Sequence, residues 1–221
     1  MEIFAENWTK FRNIIDDLTE NLRDNSRYLF RGQSRQEWKL TTSFIRALPT
    51  GLNFEFAKNL EKAALDHFRS AAHLYLHQQI SSEPVKMDVV GWWTLMQHYR
   101  APTRMLDWTS SPYVACYFAV QGAQEADCAI WCLDSKSFYE KDKEFYGNEL
   151  SYPINEKYYH DEDSPNRVFI VGRSRLTDRM LAQQGVFTSS LNVLGDQHSA
   201  IEEIFKQEKK WINKNSYSRE R

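Results

Sequence analysis

The sequence predicts an α+β fold, a mixed or antiparallel sheet of short strands with helices inserted between them. Two observations carry that expectation. Long stretches repeat apolar residues at helical spacing, as at Trp8, Phe11, Ile14, Ile15, Leu18 and Leu22. Between them lie short aromatic or β-branched runs bounded by Gly, Pro, Asn, Asp and Ser, among them "YLFRGQ", "CAIWCLD" and "GVFTSSL". A chain of 221 residues, 42% hydrophobic and 14% aromatic, is long enough for one domain with a substantial core. One domain over residues 1–221 is therefore expected, its core about 28–190.

The first helix runs over 8–22 behind Asn7, a side chain suited to capping a helix N-terminus. After the polar "RDNS" turn, "YLFRGQ" reads as a strand stopping near Gly32, with Arg31 awkwardly placed in it. Residues 54–78 form a longer helix, and "VVGWWTLMQHY" another that must end before Pro102, because the residue preceding a proline avoids helical backbone. "RMLDW" is a strand. Ser110-Ser111-Pro112 then opens the helix "YVACYFAVQGA", with serine capping and proline in the first turn.

"CAIWCLD" is apolar almost throughout and predicts a fully buried central strand. Residues 135–166 are polar and lack a sustained period, which predicts a long surface excursion. "RVFIVGRS" returns to strand, "TDRMLAQQ" is a short helix capped by Thr177, and "GVFTSSL" is a last strand. A C-terminal helix covers about 199–213.

A net charge of −2 gives no general attraction to nucleic acid or membrane. Cys116, Cys128 and Cys132 are odd in number and form no CxxC pair, so neither a disulfide framework nor structural zinc is expected, and they read as buried thiols of a reducing compartment. The acidic start "MEIFAENWTK" has no apolar core of a signal peptide, and no run approaches the roughly 18 apolar residues of a membrane span. A cytoplasmic protein with no membrane partner is expected.

His73 and His77 lie one helical turn apart near His67, but no HExxH and no carboxylate ligand accompany them, so no metal is expected. No GxSxG elbow, Walker loop or GxGxxG is present. Three polar clusters at strand edges remain: Arg31-Gly32-Gln33, the segment Gln97 to Thr109, and Gln183-Gln184-Gly185. Arg31 needs a partner if buried, and Asp107 is the candidate. Alternatively the clusters share a pocket, where Arg31 offers a fork for phosphate or carboxylate. Arg31, His98, Arg104 and Asp107 are expected to line one cavity, since each is too polar for its flanking apolar segments unless they satisfy one another.

"YLFRGQ" followed by "LMQHYRAPTRMLDWTSSPYVACYFA" resembles the FRG domain family, whose marks are an (F/Y)RG strand and a segment like MQHYGxPTRLLDWT leading into a helix with small residues. The sequence departs at Arg100, where that family more usually has glycine. A weaker similarity is to ADP-ribosyltransferases, with Arg31-Gly32, then Asp107-Trp108-Thr109-Ser110, then Gln183-Gln184 following the order of their three site strands. That resemblance implies NAD as substrate and no metal. It makes Arg31, His98, Asp107 and Gln184 catalytic candidates, with Arg31, Gly32, Gln33, Gln97, Arg104, Trp108 and Thr109 around the NAD. A glutamine cannot act as general base, so Gln183 or Gln184 competes with Glu202 or Glu203 for the third position.

The expectation is an ADP-ribosyltransferase-like effector, a toxin of a toxin–antitoxin or phage-defence system with an antitoxin partner. It would act on RNA, single-stranded DNA or protein. The alternatives are a non-catalytic nucleotide- or nucleic-acid-binding module and a metal-independent nuclease. Arg173 and Arg175, two apart on a strand and near Arg167 and Arg179, would contact successive phosphates of a single strand.

Overall fold

The computed structural model describes residues 3–19, 28–72, 88–122, 126–146, 162–164, 166–171 and 185–204. In chain order these form α1 (Trp8–Thr19), β1 (Tyr28–Gln33), α2 (Ser43–Ala47), α3 (Phe54–Ala72), α4 (Val89–His98), β2 (Met105–Thr109), α5 (Pro112–Gln121), β3 (Ala129–Asp134), α6 (Ser135–Tyr146), β4 (Val168–Val171) and β5 (Gly185–Ser190). A further helix, α7, covers 197–204. The strands make one five-stranded antiparallel sheet in the order β3-β1-β2-β5-β4, so the fold is α+β.

Strand alternation sorts the side chains to two faces. On one face Phe30 meets Ile15 of α1 and Ala115 of α5, while Met105, Phe169, Val171 and Phe187 pack with Leu65 of α3 and Val90, Trp93 and Met96 of α4. On the other, Leu29, Leu106, Trp108, Leu133, Val168 and Val186 pack beneath Phe138 of α6 and Ala200, Ile201 and Ile204 of α7. The sheet is thus buried on both sides.

Local signals set the ends of the site-bearing helices. Ser111 accepts from the Val114 amide with Pro112 in the first turn of α5, and Asp88 caps α4 by accepting from Gly91 N at 2.7 Å.

Three readings of the sequence are corrected. The apolar run 128–134 forms β3, an edge strand in which only Leu133 is fully buried, and Cys128 and Cys132 are exposed while Cys116 is partly buried. The run departs from the alternation usual for a strand with one covered face, and its edge position, with no strand beyond it, leaves most of it only partly covered. Residues 135–146 are helix rather than surface excursion: Asp134 accepts from the amides of Lys136 and Ser137, and Phe138 is fully buried. The short helix α2, capped by Thr42, was not anticipated. Residues 20–22, 73–78, 172–184 and 205–213, over which helix or strand was expected, lie outside the described residues.

Candidate functional site

The site begins with a gap in the sheet. β1 pairs with β3 at six positions and β2 with β5 at five, but β1 and β2 pair only at Phe30↔Thr109. Beyond that rung the strands diverge into a wedge. α5 lies directly on β1 there: a Cβ on Gly32 would stand 1.9 Å from the Ala115 carbonyl oxygen and 2.6 Å from the Ala119 amide nitrogen. Only glycine permits this approach, and Ala115 and Ala119 complete it as small, fully buried residues.

Between α5, the C-terminal end of α4 and the wedge lies a cavity of about 490 Å³, within the range of small-molecule sites. Its walls include Arg31, Ser43, Gln97, His98, Arg100 and Asp107, together with the apolar Val114, Ala115 and Phe118.

Arg31 spans the wedge. Its Nη1 donates to the Asp107 carbonyl at 2.7 Å, taking the place of a missing ladder bond, and stands 3.8 Å from Asp107 Oδ2. The expected Arg31–Asp107 pairing therefore exists, and both residues also line the cavity. Burial pushes the Arg31 pKa down; the Asp107 charge opposes that shift and Arg46 adds to it. Its Nε is buried without a hydrogen-bond partner among the described residues.

The Asp107 carboxylate, 63% exposed, accepts from Gln97 Nε2 at 2.9 Å. Gln97 Oε1 in turn accepts from Thr103 Oγ1, and the Thr103 amide donates to Ser43 Oγ at 3.1 Å. This chain fixes which amide atom of Gln97 faces the carboxylate. His98 forms part of the wall with its ring edge-on to Tyr99 at 5.1 Å.

Other sequence candidates divide between structural roles and the cavity wall. Arg104 is fully buried outside the cavity lining: Nε donates to Glu61 Oε1 at 2.7 Å, Nη2 to Glu61 Oε2, and Nη1 to the Leu191 carbonyl at 2.6 Å, with the guanidinium 4.7 Å from the Trp93 ring. Gln33 is also structural, donating to the Lys39 carbonyl and accepting from Trp131 Nε1 at 2.6 Å. Trp108 lines the cavity but offers it no stacking platform, because its indole lies in the core of the opposite face and donates to Thr188 Oγ1 at 2.9 Å. Phe118, 40% exposed, is a ring the cavity does present. Thr109 lines the cavity and accepts from the Ser111 amide. Glu202 and Glu203 sit on α7, which packs on the opposite face, and do not line the cavity.

Gln183, Gln184, Arg173, Arg175, Arg179, His73 and His77 lie outside the described residues. Gly185, next to Gln184, does line the cavity. Among the described residues no group of three or more His, Cys, Asp or Glu side chains could hold a metal ion, and no helix is long and apolar enough to cross a membrane.

Sequence reasoning missed Ser43 and Phe118, for which no local signal exists, and did not count Arg100 as a site residue. Its signal was available: it stands just past a helix end and two residues before Pro102, where a left-handed residue commonly stops a helix.

No curated protein and no solved structure matches the chain. The model of the FRG domain matches residues 26–128, a span that contains the Arg31-Gly32 strand, α4, β2 and α5. All but two of the described cavity-lining residues, Gly185 and Phe187, fall inside it, and this chain carries an FRG domain over that span.

Proposed function

We propose that the cavity binds NAD and that the protein is an ADP-ribosyltransferase-like enzyme. One observation carries the reading: β1, β2 and β5 are neighbours in the sheet, so Arg31, Asp107 to Thr109, and Gly185 beside Gln184 meet at one cavity, in the chain order that the resemblance to ADP-ribosyltransferases implies. In that reaction the bond from the ribose anomeric carbon to the nicotinamide nitrogen breaks. Nicotinamide leaves with the electron pair, and an acceptor attacks the cationic ribose carbon and loses a proton. Positioning and electrostatic stabilisation do most of the work.

Asp107 is the one carboxylate among the described lining residues, and Gln97 orients it. It suits the developing positive charge, His98 suits the acceptor proton, and Phe118 can flank a planar ring. The effector role in toxin–antitoxin or phage defence, and RNA, single-stranded DNA or protein as acceptor, are proposed with it on the strength of the resemblance.

The test is nicotinamide release from NAD by purified protein, alone and with RNA, single-stranded DNA or cell protein. Asp107→Asn should lower the rate by about 100-fold or more, the scale of one transition-state electrostatic contact. Arg31→Ala should abolish release while unfolding stability changes by only about 1 kcal/mol, because the Arg31–Asp107 pair is long and its acid largely exposed. NAD binding without release would leave a binding module. RNA cleavage dependent on His98 and Asp107 would leave a nuclease.

A further inference from the structure

Arg100 has φ +63°, the one non-glycine residue with positive φ among those described. It occupies the position after the α4 cap residue Tyr99 in a paired helix stop: the Arg100 amide donates to Gln97 O at 3.0 Å and the Ala101 amide to Met96 O at 2.9 Å. That turn needs left-handed backbone, which glycine adopts without penalty and an L-side chain does not. Nothing in the helix stop uses an arginine side chain. The guanidinium has no hydrogen-bond or ion-pair partner among the described residues, and Arg100 is exposed where it lines the cavity.

Charge at the cavity sharpens this. Arg31 and Asp107 cancel one another, which leaves Arg100 as the uncompensated permanent cation among the described lining residues, in a chain whose net charge is −2. Among the described lining residues, Arg100 is therefore the side chain placed to draw an anion to this mouth.

We infer that Arg100 is a specificity-determining residue that binds a phosphate or pyrophosphate group of the ligand at the cavity mouth, retained despite the backbone strain it imposes. This rests on the reading that the cavity takes a phosphate-bearing ligand, and not on that ligand being NAD.

The experiment is calorimetric titration of the full chain with inorganic pyrophosphate, and separately with NAD. Arg100→Gly should weaken both affinities about tenfold, the loss of a charge-assisted contact. The same variant should melt about 2–4 °C higher, because the strain is relieved, so the lost binding cannot be ascribed to unfolding. Lys10→Gln, an exposed site on α1 changing the net charge equally, should leave pyrophosphate affinity as it was. Absence of pyrophosphate binding to the native chain, equal affinity in Arg100→Gly, or an equal loss in Lys10→Gln would each overturn the inference. Pyrophosphate binding through Arg100 in a protein that releases no nicotinamide would overturn the NAD reading alone.

Discussion

Glu61→Ala should lower the unfolding free energy by about 3–5 kcal/mol in urea titration, the usual cost of removing one partner from a buried ion pair. Glu61 comes from the middle of α3, is 4% exposed, and grips the Nε–Nη2 edge of the Arg104 guanidinium with both carboxylate oxygens. Without it a fully buried cation loses its carboxylate, and the carbonyls of Ser190 and Leu191 and the face of Trp93 carry no charge to replace it. For a domain whose whole stability is about 5–15 kcal/mol, that loss is large. Replacing both partners, Glu61→Leu with Arg104→Met, should recover most of it, since no charge is then left behind. A single-variant loss under about 1 kcal/mol would show that Arg104 does not depend on Glu61.

Gly32→Ala should cost about 3 kcal/mol or more and empty the site as well. The added methyl meets backbone, not a side chain that could rotate away, so α5 must move as a unit. Ordinary overpacking costs about 1–3 kcal/mol because neighbouring side chains adjust. α5 also carries Val114, Ala115 and Phe118 into the cavity wall, so ligand affinity should fall with stability. Gly51→Ala is the contrast: φ is +82° but nothing lies within 4 Å of the added carbon, so only the backbone preference of about 1 kcal/mol is lost. Equal losses at the two glycines would contradict the close helix–strand packing.

The site-bearing elements were legible in the sequence because their ends carry local chemistry. Pro102 stops α4, Ser111 and Pro112 start α5, and Gly32 marks β1. Which residues share a face was legible in part. Strand alternation turns the Trp108 indole away from Asp107, and applying it would have removed that ring as a platform while leaving the residue in the cavity lining. Arg31 defeats the same rule: its parity is that of Leu29 and Trp108, yet the wedge lets it reach Asp107. The partner of Arg104 was not legible, because Glu61 lies 43 residues upstream on a helix that shows only its period. Helix α6 was hidden by polar composition, since one deeply buried ring, Phe138, anchors it.

The single rung between β1 and β2 has a mechanical meaning. The sheet is two rafts, β3-β1 and β2-β5-β4, joined along a seam by one backbone rung at Phe30 and Thr109 and by the Arg31 side chain reaching the Asp107 carbonyl. Amide protons facing the seam beyond that rung, on Gly32 and Asp107, should exchange with deuterium well before those of the β1–β3 and β2–β5 ladders. A ligand in the cavity would touch both rafts and act as a further fastening. It would slow exchange on each side of the seam together, and raise stability by about 2.7 kcal/mol at a hundred times its dissociation constant.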